Sequence, residues 1–208
     1  MTEFTLIRHG ESGHNLRLHT HVGGLSIDSP LTLLGHDQSA NRGRQLKEAG
    51  DTFDAIFYSP AVRTTQTMQA IITAAELTPR PNADERLFEL SLGPHEGKLR
   101  SEVYTLSVIA ELNRQGLEGA LPGAESIAAV QRRMMDFVTD IHQQFPTGSI
   151  LVVSHGLAIR SLIGKIQNLQ KDEILSMQTD NVSVSKIRMT NGEAKVTVIG
   201  NQAITSYT

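Results

Sequence analysis

Three segments of this chain set a cation or an imidazole where a short apolar run stops. Arg8-His9-Gly10-Glu11-Ser12 follows Phe4-Thr5-Leu6-Ile7, and Ser154-His155-Gly156 follows Ile150-Leu151-Val152-Val153. Ser59-Pro60 follows residues 54–58, with Arg63 shortly after. Two arginines and two histidines brought to one place describe a site for a phosphate-sized anion, since guanidinium forks match phosphate oxygens and helix N-termini add backbone donors. Taken singly, each item has a plainer reading. A lone histidine at a strand end is usually a hydrogen-bonded structural residue, and a lone arginine on a first helical turn is mostly solvated, slightly disfavoured by the positive helix end. Recurrence in three segments changes the balance, because like charges repel unless an anion holds them together. The chain has eight histidines and no cysteine, which excludes disulfides, thiolate chemistry and thiolate-ligated zinc. Histidine is then the expected carrier of polar chemistry near neutral pH.

The other histidines have quieter expectations. His14, His19 and His21 crowd one segment, but no cysteine and no helical i, i+4 pair accompanies them, so a loop rim is expected there rather than a metal site. His95 is expected at the mouth of the site, and His36 and His142 need no role. Met134-Met135 reads as core filler.

These residues need elements to position them. Residues 3–8, 54–58 and 149–154 read as strands. Residues 32–48 read as a helix with Thr32 as N-cap and Leu33, Leu34, Ala40 and Leu46 inward, and residues 60–76 as a helix with Pro60 at its first position. Residues 124–144 form a long helix with Ile127, Val130, Met134, Phe137, Val138 and Ile141 on one face, and 157–166 a shorter one. A final hairpin spans 182–189 and 194–199 around Thr190-Asn191-Gly192. Strands separated by helices predict an α/β fold, a three-layer αβα sandwich whose mainly parallel sheet carries a C-terminal antiparallel hairpin. Residues 93–123, with one helical pattern at about 100–115, read as a small helical insertion over the active site.

With 208 residues and no Pro/Gly/Ser linker, one domain over 1–208 is expected. The 19 basic and 22 acidic residues give a net charge of −3, which supports neither a nucleic-acid nor an anionic-membrane partner. No stretch approaches the roughly 20 apolar residues of a membrane span, and Met1-Thr2-Glu3-Phe4 is no signal peptide. A cytoplasmic location is therefore expected. The oligomeric state is left open, a homodimer included.

The ordered motifs together resemble a known family. Leu6-Ile7-Arg8-His9-Gly10-Glu11-Ser12 with Asn15, Pro30-Leu31-Thr32-x-x-Gly35 and Ser59-Pro60-x-x-Arg63-Thr64-x-Gln66-Thr67 come first. Leu87-x-Glu89 with Gly93 and Glu96-Gly97, Pro122-Gly123-x-Glu125-Ser126 and Val152-Val153-Ser154-His155-Gly156 follow. This set resembles the histidine phosphatase superfamily, also called phosphoglycerate mutase-like, over residues 4 to 165. The resemblance implies that His9 is the nucleophile, that Arg8, Arg63 and His155 complete the phosphate pocket, and that Asn15 contacts phosphate or substrate. It implies that Glu89, on a loop after strand-like Arg86-Leu87-Phe88, is the general acid/base. It implies a small phosphorylated metabolite as partner, with no metal and no cofactor.

The chemistry asked of these types is coherent. A transferring phosphoryl group needs fixed donors on its equatorial oxygens, which two arginines supply at any working pH. Flanking arginines should lower the His9 pKa and free its attacking nitrogen, while a dianionic phosphate should favour His155 as imidazolium. Mutases of this family carry a Phe-Thr-Gly-Trp-type loop and an Arg-x-Tyr-Gly segment. This chain has His21-Val22-Gly23-Gly24, Leu90-Ser91-Leu92-Gly93 and no tryptophan, which favours hydrolysis over mutase activity. A non-catalytic phospholigand-binding module is the remaining alternative.

Overall fold

The computed structural model describes residues 1–26 and 28–203. Ile27 and residues 204–208, both within the expected 1–208 domain, lie outside the described residues.

The strands are β1 (Thr2–Arg8), β2 (Ala55–Tyr58), β3 (Pro81–Ala83), β4 (Ser149–Ser154), β5 (Val184–Thr190), β6 (Glu193–Ile199) and β7 (Gln202–Ala203). They form one seven-stranded sheet in the order β3-β2-β4-β1-β5-β6-β7. The β3-β2-β4-β1 half is parallel, and β5, β6 and β7 add to it antiparallel. Alternation of side chains along each strand divides the core. Phe4, Leu6, Ile150 and Val152 face one side, where α5 (Ile127–Gln144) and α6 (Gly156–Gln167) pack. Ile7, Ile56, Leu151 and Val153 face the other, against α1 (Leu33–Glu48) and α2 (Val62–Ala75). The expected three layers are therefore present. Short helices α3 (Arg100–Val103), α4 (Leu106–Arg114) and α7 (Lys171–Ser176) complete the set. Among the described residues no helix is long and apolar enough to cross a membrane.

The predicted stripe of α5 is buried as expected, from Ile127 to Ile141, behind an N-cap in which Ser126 accepts from Ala129 N–H. The hairpin turns at Asn191 and Gly192, both at positive φ (52° and 82°), which suits a two-residue connection.

Several expectations are corrected. Leu33 and Leu34 do not face inward; they are 87% and 52% exposed. The inward face of α1 is Gly35, Ser39, Gly43 and Leu46, a face built for close backbone approach rather than hydropathy. A Cβ on Gly35 would stand 2.0 Å from the Glu11 carbonyl oxygen, and one on Gly43 2.7 Å from that of Ile71. Helix α2 starts at Val62 with Ala61 as N-cap, because Ser59 N–H still bonds to Val153 O and carries the chain past Pro60 as extended backbone. The helix expected at 124–144 starts at Ile127, and the pattern at 100–115 breaks into two helices where Thr105 caps the second. Arg86-Leu87-Phe88 is not a strand: Glu85–Leu87 is a 3-10 turn whose Asp84 side chain accepts from Arg86 N–H. Strands β3 and β7, three and two residues long at the sheet edges, had no apolar run to announce them.

Candidate active site

Strand register builds the site. In the parallel pair β1–β4, Arg8 stands opposite Ser154, so the next residue of each strand, His9 and His155, leaves the sheet at the same height. His9 N–H bonds to Ser154 O at 3.0 Å, and the two imidazoles meet edge-on with centroids 5.3 Å apart. On the far side of β4, Tyr58 pairs with Val153, which brings Ser59 Oγ to 2.8 Å from His155 Nε2. Carboxyl ends of parallel strands are where α/β sheets place ligands.

The glycine after each histidine permits close approach rather than a left-handed turn, since neither takes positive φ. A Cβ on Gly10 would meet Gly35 O at 2.5 Å, and one on Gly156 would stand 3.2 Å from Arg8 Nε. Arg8 thus lies over the first residue of α6, beside His155.

His9 is fixed in one useful form. Its Nδ1 lies 2.7 Å from Gly10 O, an acceptor, so Nδ1 carries the proton and Nε2 presents a lone pair. Arg63 Nε–H donates into that lone pair at 3.2 Å. Burial, reinforced by Arg63 and Arg8, holds the His9 pKa well below the usual imidazole value. His155 is fully buried and is held low in the same way, by burial first and then by Arg63 and His9. Burial and these neighbours favour its neutral ring, whereas the expected imidazolium concerns the site with a phosphate dianion beside it.

Arg63 is 1% exposed. Its Nη1 donates to Ser26 O at 2.7 Å and its Nη2 to Leu25 O at 2.9 Å. Glu96 holds that loop from the other side, accepting from Leu25 N–H at 3.0 Å, Ser26 N–H at 2.9 Å and Leu92 N–H at 2.9 Å. A carboxylate from the Glu96-Gly97 motif therefore fixes the carbonyls that aim Arg63 at His9. Arg8 Nη1 donates to Thr179 O at 2.7 Å. Arg8 Nε and His155 Nδ1 are buried with no hydrogen-bond partner among the described residues. Such groups cost about 1–3 kcal/mol each when unpaired, and an anion oxygen beside them would recover it.

Glu89 sits at the α6 N-terminus. Its Oε1 accepts from Leu90 N–H (2.9 Å) and Ala158 N–H (3.0 Å), and its Oε2 from Leu157 N–H (3.1 Å). Three of the four carboxylate lone-pair positions are thus engaged, leaving one on Oε2 for a proton. The positive end of α6 is occupied by this side chain, not held open for phosphate. Asn15 Oδ1 accepts from Ser12 N–H and Ser12 Oγ–H, which leaves its amide nitrogen as the donor available to a ligand.

A cavity of about 610 Å³ joins these groups, with Arg8, His9, Asn15, Arg63 and Glu89 on its wall and His155 behind His9. The 93–123 segment supplies Arg100, Tyr104, Leu112 and residues 119–121 to the same wall, so it does cover the site. His14 is half-buried on the wall, its pKa lowered by burial and by Arg63. His19 is exposed, His21 bridges to Leu99, and His95 Nε2 lies 2.9 Å from Pro122 O, tying the insertion down away from the cavity wall. His142 Nδ1 meets Thr2 Oγ1 far from the site.

Other contributors carried no signal in the sequence. Arg133 of α5 donates to Arg86 O (2.7 Å), Phe88 O (2.6 Å) and Glu89 O (3.2 Å) and pairs with Glu125 at 2.8 Å, so it sets the Glu89 loop from behind. Asn181 Nδ2 donates to His9 O at 3.0 Å. Arg160, Lys171 and residues 175–180 reach the cavity wall. Arg160 and Lys171 are basic, but nothing in their spacing joined them or residues 175–180 to the motifs.

A family model for the histidine phosphatase superfamily (branch 1) matches residues 4–202. A 2,3-bisphosphoglycerate-dependent phosphoglycerate mutase of Rhizobium etli is 31% identical over 198 residues, covering 91% of each chain. A histidine-to-alanine variant of phosphoserine phosphatase from Entamoeba histolytica, in complex with phosphoserine, is 25% identical with a TM-score of 0.80, covering 97% of this chain and 98% of that one. The same phosphatase in complex with 3-phosphoglyceric acid gives 25% identity and a TM-score of 0.79 over 96% of this chain and 97% of that one.

Proposed function

This chain belongs to the histidine phosphatase superfamily, and from that premise we propose that it hydrolyses a small phosphomonoester through a phosphohistidine on His9. The observation that carries this reading is the His9 ring itself. Its Nδ1 proton is pinned on Gly10 O while its Nε2 lone pair meets Arg63 Nε–H, in a cavity that Arg8 also lines.

The phosphoryl oxygens displace Arg63 Nε from His9 Nε2 and take donors from Arg63, Arg8 Nε and the Asn15 amide. If Ser59 Oγ–H donates to His155 Nε2, His155 Nδ1–H becomes a further donor, and no imidazolium is required. His9 Nε2 attacks phosphorus and the P–O bond to the alcohol breaks. Glu89 gives its proton to the leaving oxygen, a transfer worth roughly 10²–10⁴-fold when well placed. Glu89, now a carboxylate, takes a proton from water as that water attacks phospho-His9. Inorganic phosphate leaves and His9 is restored. The arginines supply the positive charge that the transition state needs.

The test is phosphate release from p-nitrophenyl phosphate, with EDTA and with vanadate. Turnover should persist in EDTA, fall with vanadate and drop by at least about 10³-fold in His9→Ala, as when a nucleophile is removed. Undiminished turnover in His9→Ala would sink the assignment. The 31% identity to a phosphoglycerate mutase favours a second reading, phosphoryl transfer between hydroxyls. A 2,3-bisphosphoglycerate-dependent interconversion of phosphoglycerates faster than hydrolysis would establish it. Hydrolysis is preferred because the tryptophan-bearing loop of mutases is replaced by His21-Val22-Gly23-Gly24 and the chain has no tryptophan.

A further inference from the structure

The cavity is larger than the phosphate site needs, and apolar side chains make up part of its wall. At about 30 Å³ for each water, its 610 Å³ holds roughly twenty waters, whereas a three-carbon phosphoacid has about 11 non-hydrogen atoms. The volume falls within the 300–1,000 Å³ typical of pockets for drug-sized ligands. The cavity lining includes Leu18, Leu92, Tyr104, Leu121, Leu157 and Met177, interspersed with polar groups such as Glu125 and Asp180.

The cations there are largely spent on the protein. Arg160 donates from Nε to Gly156 O (3.3 Å) and from Nη1 to Leu175 O (2.8 Å) and Met177 O (3.3 Å). Lys171 Nζ donates to Leu112 O (2.8 Å) and Asn113 Oδ1 (3.1 Å). These bonds stitch α6, α7 and α4 into one wall instead of forming a clamp for a substrate carboxylate. Arg100 lies over the Tyr104 ring at 4.9 Å, which makes a flat, cation-backed aromatic surface at the insertion.

Resting on the hydrolase reading above, we propose that the alcohol half of the substrate carries a ring-sized apolar group that packs on this wall. Ring-bearing phosphomonoesters, not three-carbon phosphoacids, are then the substrate class. Each 1.4 kcal/mol of added transition-state binding is a tenfold gain in kcat/KM, well within the reach of burying one aromatic ring.

The test compares 3-phenylpropyl phosphate with n-propyl phosphate, whose leaving groups are equally basic, together with phosphoserine and 3-phosphoglycerate. kcat/KM should be at least about tenfold higher for the phenylpropyl ester than for the propyl ester, with both phosphoacids at or below the propyl ester. In Tyr104→Ala the phenylpropyl-to-propyl ratio should fall toward one. Hydrolysis of propyl phosphate without a ring preference, or faster turnover of either phosphoacid than of the phenylpropyl ester, would overturn the substrate class and leave the hydrolase reading standing. So would a ratio unchanged in Tyr104→Ala while both rates drop together. No hydrolysis of any ester would overturn both readings.

Discussion

An imidazole at pH 7 becomes a defined nucleophile only when one nitrogen is committed to a proton and the other is kept bare. Gly10 O commits Nδ1 of His9, and burial with two neighbouring arginines keeps Nε2 bare. In the proposed reaction Glu89 has the complementary task, with three lone-pair positions engaged by backbone N–H and one left on Oε2. Glu89→Gln cannot give up a proton, so it should slow esters of basic alkanols by about 10²-fold or more and p-nitrophenyl phosphate far less. A plot of log kcat/KM against leaving-group basicity checks this, and an equal loss across the series would argue that Glu89 is not the acid. His9, Arg8, Arg63 and His155 were legible because each follows an apolar strand run within one or a few residues. The setting of Glu89 was not, since its donors Leu157 and Ala158 lie 68 and 69 residues away and act through main-chain atoms. Arg133 escaped for the same reason, being an ordinary helix arginine until its contacts with three main-chain carbonyls are seen.

At the scale of elements, the strands and the α5 stripe followed hydropathy because they face the core through large side chains. Helix α1 did not, because Gly35, Ser39 and Gly43 pack backbone to backbone and carry no hydropathic signature. This helix matters to the site, since Gly35 lies against the Glu11 backbone that continues from His9. Gly35→Ala should therefore cost about 1–3 kcal/mol as forced overpacking, while Leu34→Ser on the exposed side should change stability by under about 0.5 kcal/mol. Urea midpoints of the two variants check the assignment, and the reverse ranking would restore the leucines to the core. The insertion was legible as a helical cover, but its break at Tyr104-Thr105 follows from the Thr105 cap, a local hydrogen bond that apolar periodicity does not encode.

At the scale of the whole molecule, the site costs stability in acid. His9 and His155 are fully buried, and their pKa values lie well below the unfolded value of about 6.5. Above that pH neither state holds the extra protons. As pH falls below it the unfolded chain binds them and the folded chain does not, so stability present above pH 6.5 is lost on the way down. Each histidine contributes up to about 1.4 kcal/mol per pH unit in that window. Urea unfolding from pH 7.5 to 5 should show this slope, and a His9→Ala/His155→Ala double variant should flatten it; an unchanged slope would place the lost stability elsewhere. The layered architecture was readable from alternating elements, whereas convergence on one sheet edge depended on the β1–β4 and β2–β4 registers, which no single segment records. The central claim is that His9 carries the phosphoryl group. Its most direct test is rapid quenching of the enzyme during turnover of a phosphate-labelled p-nitrophenyl phosphate, followed by peptide mapping. The account predicts an acid-labile, base-stable phosphoryl group on the peptide containing His9 and none in His9→Ala. A labelled His9→Ala protein, or turnover with no labelled peptide at any quench time, would contradict it.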